Sequence, residues 1–149
     1  MSMTQKAYRE QWQRVLRLGN KINFDDQNLE ALVDDIVNFM INAWSLRDWI
    51  IKSGFDRNII DNFINSNRHL TICKDLANHQ KHRELRDKSN NDFIVITNKA
   101  TPIGRSWNPF QQKETIVIRE WNRGRPIDAK QEINSIINAW QELIAQLDR

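Results

Sequence analysis

All three histidines of the 149-residue chain, His69, His79 and His82, fall in or beside one segment that also carries Lys74, Asp75 and Asn78. Histidine titrates near neutral pH and can take a proton and return it. If the segment is helical, Asp75, Asn78, His79 and His82 stand at i, i+3, i+4 and i+7 and share a face, with Lys74, Asn78 and His82 in the adjacent row. That set suits phosphodiester cleavage without a metal. A ribose 2′-hydroxyl would attack, His79 or His82 would act as base or acid, and Lys74 with nearby arginines would balance charge on the phosphate. Two other readings use the same residues. Asp75, His79 and His82 have spacing that can converge on a divalent metal, but no fourth ligand and no HExxH-type pattern accompanies them, so no metal or other cofactor is expected. Alternatively Asp75 and Asn78 only orient the histidines, in a solvated stripe or at a subunit contact.

The opposite side of this segment holds Leu70, Cys73, Leu76 and Ala77, with His69 on the same flank as a core-edge residue. Cys73 reads there as a small buried hydrophobe, because no orienting third group marks it as a nucleophile. The segment is the fourth of a helical series. Tyr8, Trp12, Val15 and Leu16 recur at helical spacing and predict a first helix over residues 4–18, with Gly19-Asn20 as its left-handed stop. A long second helix follows through Leu29, Leu32, Val33, Ile36, Val37, Met40, Ala43, Trp44, Leu46, Trp49 and Ile50, closing at Gly54. Asp56 caps a short third helix with Ile59, Ile60, Phe63 and Ile64, and Ser66-Asn67 offers a cap for the fourth, which extends to about residue 85. Trp44 is expected in the core, and Trp49 against helix four or a partner.

The polar run at residues 88–92 breaks the helical period. Beyond it, residues 93–97 and 115–121 are β-branched and of strand length, joined by a long loop containing Pro102, Gly104 and Pro109. Trp107 in that loop and Trp121 are either loop anchors or surfaces on which bases could stack. A tight turn at residues 122–125 leads to Asp128 and Gln131, spaced as a capping box, and then to the apolar stripe Ile133, Ile136, Ile137, Trp140, Leu143, Ile144 and Leu147. The expected architecture is mainly α: one domain over residues 1–149, a bundle of four to five helices with a small antiparallel β-hairpin inserted before the C-terminal helix.

Composition excludes several classes. With 40% hydrophobic residues the chain is no disordered tail, and one cysteine allows no internal disulfide, so a cytoplasmic address is expected. No stretch approaches the roughly 18 apolar residues of a membrane span. Net charge is only +3, a weak bias, but cations gather at Lys81, Arg83 and Arg86 and again at Arg119, Arg123 and Arg125, which form either a phosphate-binding face or an ordinary solvated surface of alternating charge. Asp25, Asp26, Glu30, Asp34 and Asp35 make the start of the second helix acidic, which suits its dipole.

The run Cys73-Lys74-Asp75-Leu76-Ala77-Asn78-His79-Gln80-Lys81-His82 resembles the signature helix of HEPN-type domains. Those are small helical proteins, many of them RNases of toxin–antitoxin and phage-defence systems. Their motif is an arginine, often followed by Asn, Asp or His, with a histidine four to six residues beyond. Lys74, Asp75 and His79 keep the spacing and the acidic second position, and lysine replaces the arginine. Lysine retains the charge without the planar fork that grips phosphate bidentately. The resemblance implies an RNA partner, possible cleavage by His79 or His82, and a homodimer in which two signature helices meet. A looser similarity to uncharacterised bacterial proteins, carried by residues 42–49 and 73–82, implies no function. The alternative expectation is a non-catalytic interaction or regulatory module with a dimer contact through helix four.

Overall fold

The longest apolar period in the chain builds its longest helix, α2 (Leu29–Lys52), which lies between α1 (Met3–Lys21) and α4 (Arg68–Lys81). The computed structural model describes residues 3–25, 28–81, 93–101, 113–120 and 127–149, and among them α3 (Arg57–Asn65) and α5 (Ala129–Leu147) complete a mainly helical bundle. Leu32, Ile36, Phe39, Met40, Ala43, Leu46 and Ile50 form the buried side of α2. Val15 of α1, Ile60 and Ile64 of α3, Leu70, Cys73 and Leu76 of α4, and Ile133, Ile136, Trp140 and Leu143 of α5 meet them in one cluster. No helix of the described residues is long and apolar enough to cross a membrane.

The starts of α2, α3, α4 and α5 are each capped by a short polar side chain that takes up an otherwise unpaired amide. Asn28 accepts from the Ala31 amide at 3.2 Å, Asp56 from Asn58 at 2.8 Å, and Asp128 from Gln131 at 3.0 Å. Asn67 accepts from His69 at 3.0 Å and from Leu70 at 3.2 Å, so α4 begins at a fixed point and its later residues inherit a fixed rotation.

Gly54 ends α2 with φ +102°. This left-handed conformation is free of strain only without a Cβ. Gly54→Ala is expected to lower the unfolding free energy by about 1 kcal/mol, read as a lower denaturation midpoint with unchanged m-value. An unchanged midpoint would show that α2 ends without help from glycine.

The predicted stop at Gly19-Asn20 does not occur, and α1 continues to Lys21. Gly19 serves packing instead. A Cβ built there would stand 3.0 Å from Cδ1 of Ile137 and 3.2 Å from Cε2 of Phe39, so the missing methyl lets α1 approach α2 and α5. A buried polar contact sets the same approach: Gln11, 4% exposed, donates to the Asn42 carbonyl and to Ser45 Oγ, both at 2.9 Å. At the bundle's end, Tyr8 and Arg9 both donate to Asp148 just beyond α5, and Tyr8 meets Phe55 edge to face at 5.8 Å.

Between α4 and α5 the described backbone is extended over β1 (Phe93–Thr101), β2 (Lys113–Glu120) and β3 (Ile127–Asp128).

Candidate functional site

The rotation of α4 is set by what it buries. Leu70, Ile72, Cys73, Leu76 and Ala77 are all at most 4% exposed. Lys74, Asp75 and Asn78 are consequently only half-buried and stand together on the side away from the interior. The backbone of His79 and Lys81 continues this helix in its last turn, and Arg119 belongs to β2. His82, Arg83, Arg86, Arg123 and Arg125 lie outside the described residues, as do Trp107 and Trp121.

Lys74 has a specific environment. Its Nζ lies 5.9 Å from the centre of the Trp44 indole, and the guanidinium of Arg47 lies at the same distance from that ring. Trp44 is thus a half-buried platform at the rim where α2 and α4 meet, rather than a wholly enclosed core residue. Each such cation–ring contact contributes roughly 0.5–1 kcal/mol when partly exposed, enough to bias the position of a lysine without immobilising it. Arg47 also grips Asp61 of α3 through two parallel bonds, Nε to Oδ1 at 2.7 Å and Nη2 to Oδ2 at 3.0 Å. This fork holds the Asp61 carboxyl below the usual carboxylate range, against the opposing effect of burial, and the charges of Arg57 and Lys74 act in the same direction. Chemically the rim offers a lysine held on an aromatic face next to an ion pair that ties α2 to α3. That suits meeting a bound phosphate with a positive charge biased toward this rim.

At the start of α4, the Nδ1 of His69 lies 2.8 Å from Oε1 of Glu132 on α5. The histidine side chain is 43% exposed and the glutamate only 4%. Glu132 is a buried carboxylate that the apolar stripe of α5 did not announce, although it precedes Ile136 and Trp140 by four and eight residues and so stands on that stripe. The Arg47–Asp61 fork is likewise absent from the sequence expectations, because its partners are 14 residues apart on two helices.

Cys73 is fully enclosed, and its Sγ approaches the Met40 carbonyl at 3.5 Å. Burial, and then the negative charge of Glu132, push its thiol far up from the ordinary range. The thiolate is the reactive form, so the native protein is expected to resist thiol-specific alkylation at pH 8 and to react fully in denaturant. Rapid labelling of the folded protein would contradict this placement. Among the described residues no group of three His, Cys, Asp or Glu side chains is arranged to hold a metal ion. No protein-family model matches the chain, and comparison with curated proteins and with solved structures returns no match.

Proposed function

We propose that this protein is a HEPN-like, RNA-engaging helical protein of the kind found in toxin and defence systems, and that it contacts RNA along the outward face of α4. The observation that supports this reading is the division of α4 into a sealed side and a partly exposed one. Leu70, Cys73, Leu76 and Ala77 are buried, while Lys74, Asp75 and Asn78 remain accessible from outside. In this reading Lys74, held over Trp44, meets the phosphate, and Asp75 and Asn78 fix neighbouring polar groups. His79 or His82 removes the proton of a ribose 2′-hydroxyl, whose oxygen attacks the adjacent phosphorus. The bond to the 5′-oxygen breaks, the other histidine protonates that leaving oxygen, and a 2′,3′-cyclic phosphate remains. Lys81, Arg83, Arg86, Arg119, Arg123 and Arg125 extend the electrostatic contact. A second copy of the chain brings its own α4 to complete the site. The finer architecture, a small β-hairpin inserted before α5, belongs to the same proposal.

The test is incubation of the purified protein with mixed RNA, with and without chelator. Chelator-insensitive cleavage that falls by about 10²–10⁴-fold in His79→Ala or His82→Ala supports the reading, since that is the usual contribution of a general acid or base. Absence of both cleavage and salt-dependent RNA binding rejects it. If the same substitutions change assembly or stability while no nucleic acid is bound, α4 is a protein-contact helix and the protein is an interaction module.

A further inference from the structure

Helix α1 carries a cationic surface that owes nothing to α4. Its side chains at Tyr8, Gln11 and Val15 are buried, and the opposite side exposes Arg9, Glu10, Gln13, Arg14, Arg17 and Lys21. With Asn20, which is exposed on the same side, four of the seven are cations and one is an acid. At 1.5 Å per residue, the cations from Arg9 to Lys21 span about 18 Å of helix. Arg9, Glu10, Gln13, Arg14 and Arg17 line an open depression of about 530 Å³ on this surface.

Two of the arginines are held from below. Arg14 donates to Oε1 of the buried Gln11 at 3.0 Å, and Arg9 donates to Asp148 at 2.6 Å while its guanidinium lies over Tyr8. Among the described residues no acid pairs with Arg17 or Lys21. The exposed set contains no apolar or aromatic side chain. A protein partner gains most of its affinity from buried aromatic or apolar anchors, which this face does not supply. A nucleic-acid backbone needs only positive charge spread along its length.

We infer that the outer face of α1 binds the sugar–phosphate backbone of a nucleic acid strand, as a second contact beside α4; this rests on the RNA-engaging reading. The contact is to phosphate, so it does not distinguish RNA from DNA and carries no base preference.

The experiment measures the affinity of a single-stranded RNA and of a DNA of the same sequence over a range of salt concentrations. It compares the wild-type chain with the triple variant Arg14→Gln, Arg17→Gln, Lys21→Gln, with Glu10→Gln, and with Lys74→Gln in α4. Each phosphate contact contributes about 0.7 to the slope of log affinity against log salt for single strands. The triple variant is therefore expected to lose about 2 from that slope and to bind both strands about a hundredfold more weakly at 0.1 M salt. Glu10→Gln is expected to tighten binding. Unchanged thermal unfolding of the triple variant keeps the comparison valid, since glutamine suits an exposed helix position as well as arginine does. If only Lys74→Gln weakens binding, the inference about α1 fails and the α4 reading stands. If the wild-type chain binds neither strand, both fail. If the triple variant changes the sedimentation of the protein alone and leaves RNA affinity intact, the face is a contact between copies and the inference is overturned.

Discussion

Trp140→Ala is expected to lower the unfolding free energy by about 4 kcal/mol, a large part of the 5–15 kcal/mol that holds a domain of this size folded. Trp140 is 0% exposed on α5 and belongs to the cluster that joins this helix to α1, α2 and α4. Truncation to alanine removes the transfer free energy of an indole and leaves a cavity that close-packed neighbours cannot wholly fill. The indole also carries a defect. Its Nε1 donor is buried and finds no acceptor among the described residues. A buried donor without a partner costs about 1–3 kcal/mol, and phenylalanine would remove that penalty while keeping most of the ring. Trp140→Phe should thus cost less than half as much as Trp140→Ala. Chemical denaturation of the two variants checks this order, and equal losses would show that the N–H is satisfied in the folded protein.

His69→Ala is expected to cost about 2 kcal/mol, more than a half-exposed histidine usually contributes. The reason lies in its partner, because Oε1 of Glu132 is buried and accepts its 2.8 Å bond from the His69 ring. Removing the imidazole leaves the carboxylate enclosed without that bond, and leaving a buried polar group unmatched is costlier than the net value of the pair. Replacing the acid reverses the logic. Glu132→Met fills a similar volume without a charge to desolvate, so its stability should lie within about 1 kcal/mol of the wild type. The double variant His69→Ala, Glu132→Met should resemble Glu132→Met alone, a coupling that a double-mutant cycle in denaturant measures directly. Equal losses in both single variants would indicate that the histidine acts through packing rather than through the glutamate.

Helix positions were readable because local chemistry specifies them. Asp56, Asn67 and Asp128 cap helices where their side chains and the following apolar period predict, and Gly54 closes α2. Gly19 misled because a glycine after an apolar run signals a helix stop as readily as a close approach, and only the proximity of Phe39 and Ile137 separates the two. The outward orientation of Lys74, Asp75 and Asn78 was readable for the same reason as the helix itself. Burying Leu70, Cys73 and Leu76 leaves those three no other side. What periodicity could not supply is pairing between helices. Arg47 with Asp61, His69 with Glu132, and Lys74 with Trp44 each join residues whose separation in sequence carries no signal. The cationic face of α1 escaped for a different reason: its charges are spread over a whole helix, so no short run marks them.

The most direct measurement is photo-cross-linking of a 4-thiouridine-substituted RNA to the protein, followed by peptide mapping. RNA engagement through α4 predicts adducts within residues 68–82, lost when Lys74→Gln is used and weakened by added salt. RNA that binds yet leaves that peptide unlabelled would contradict it.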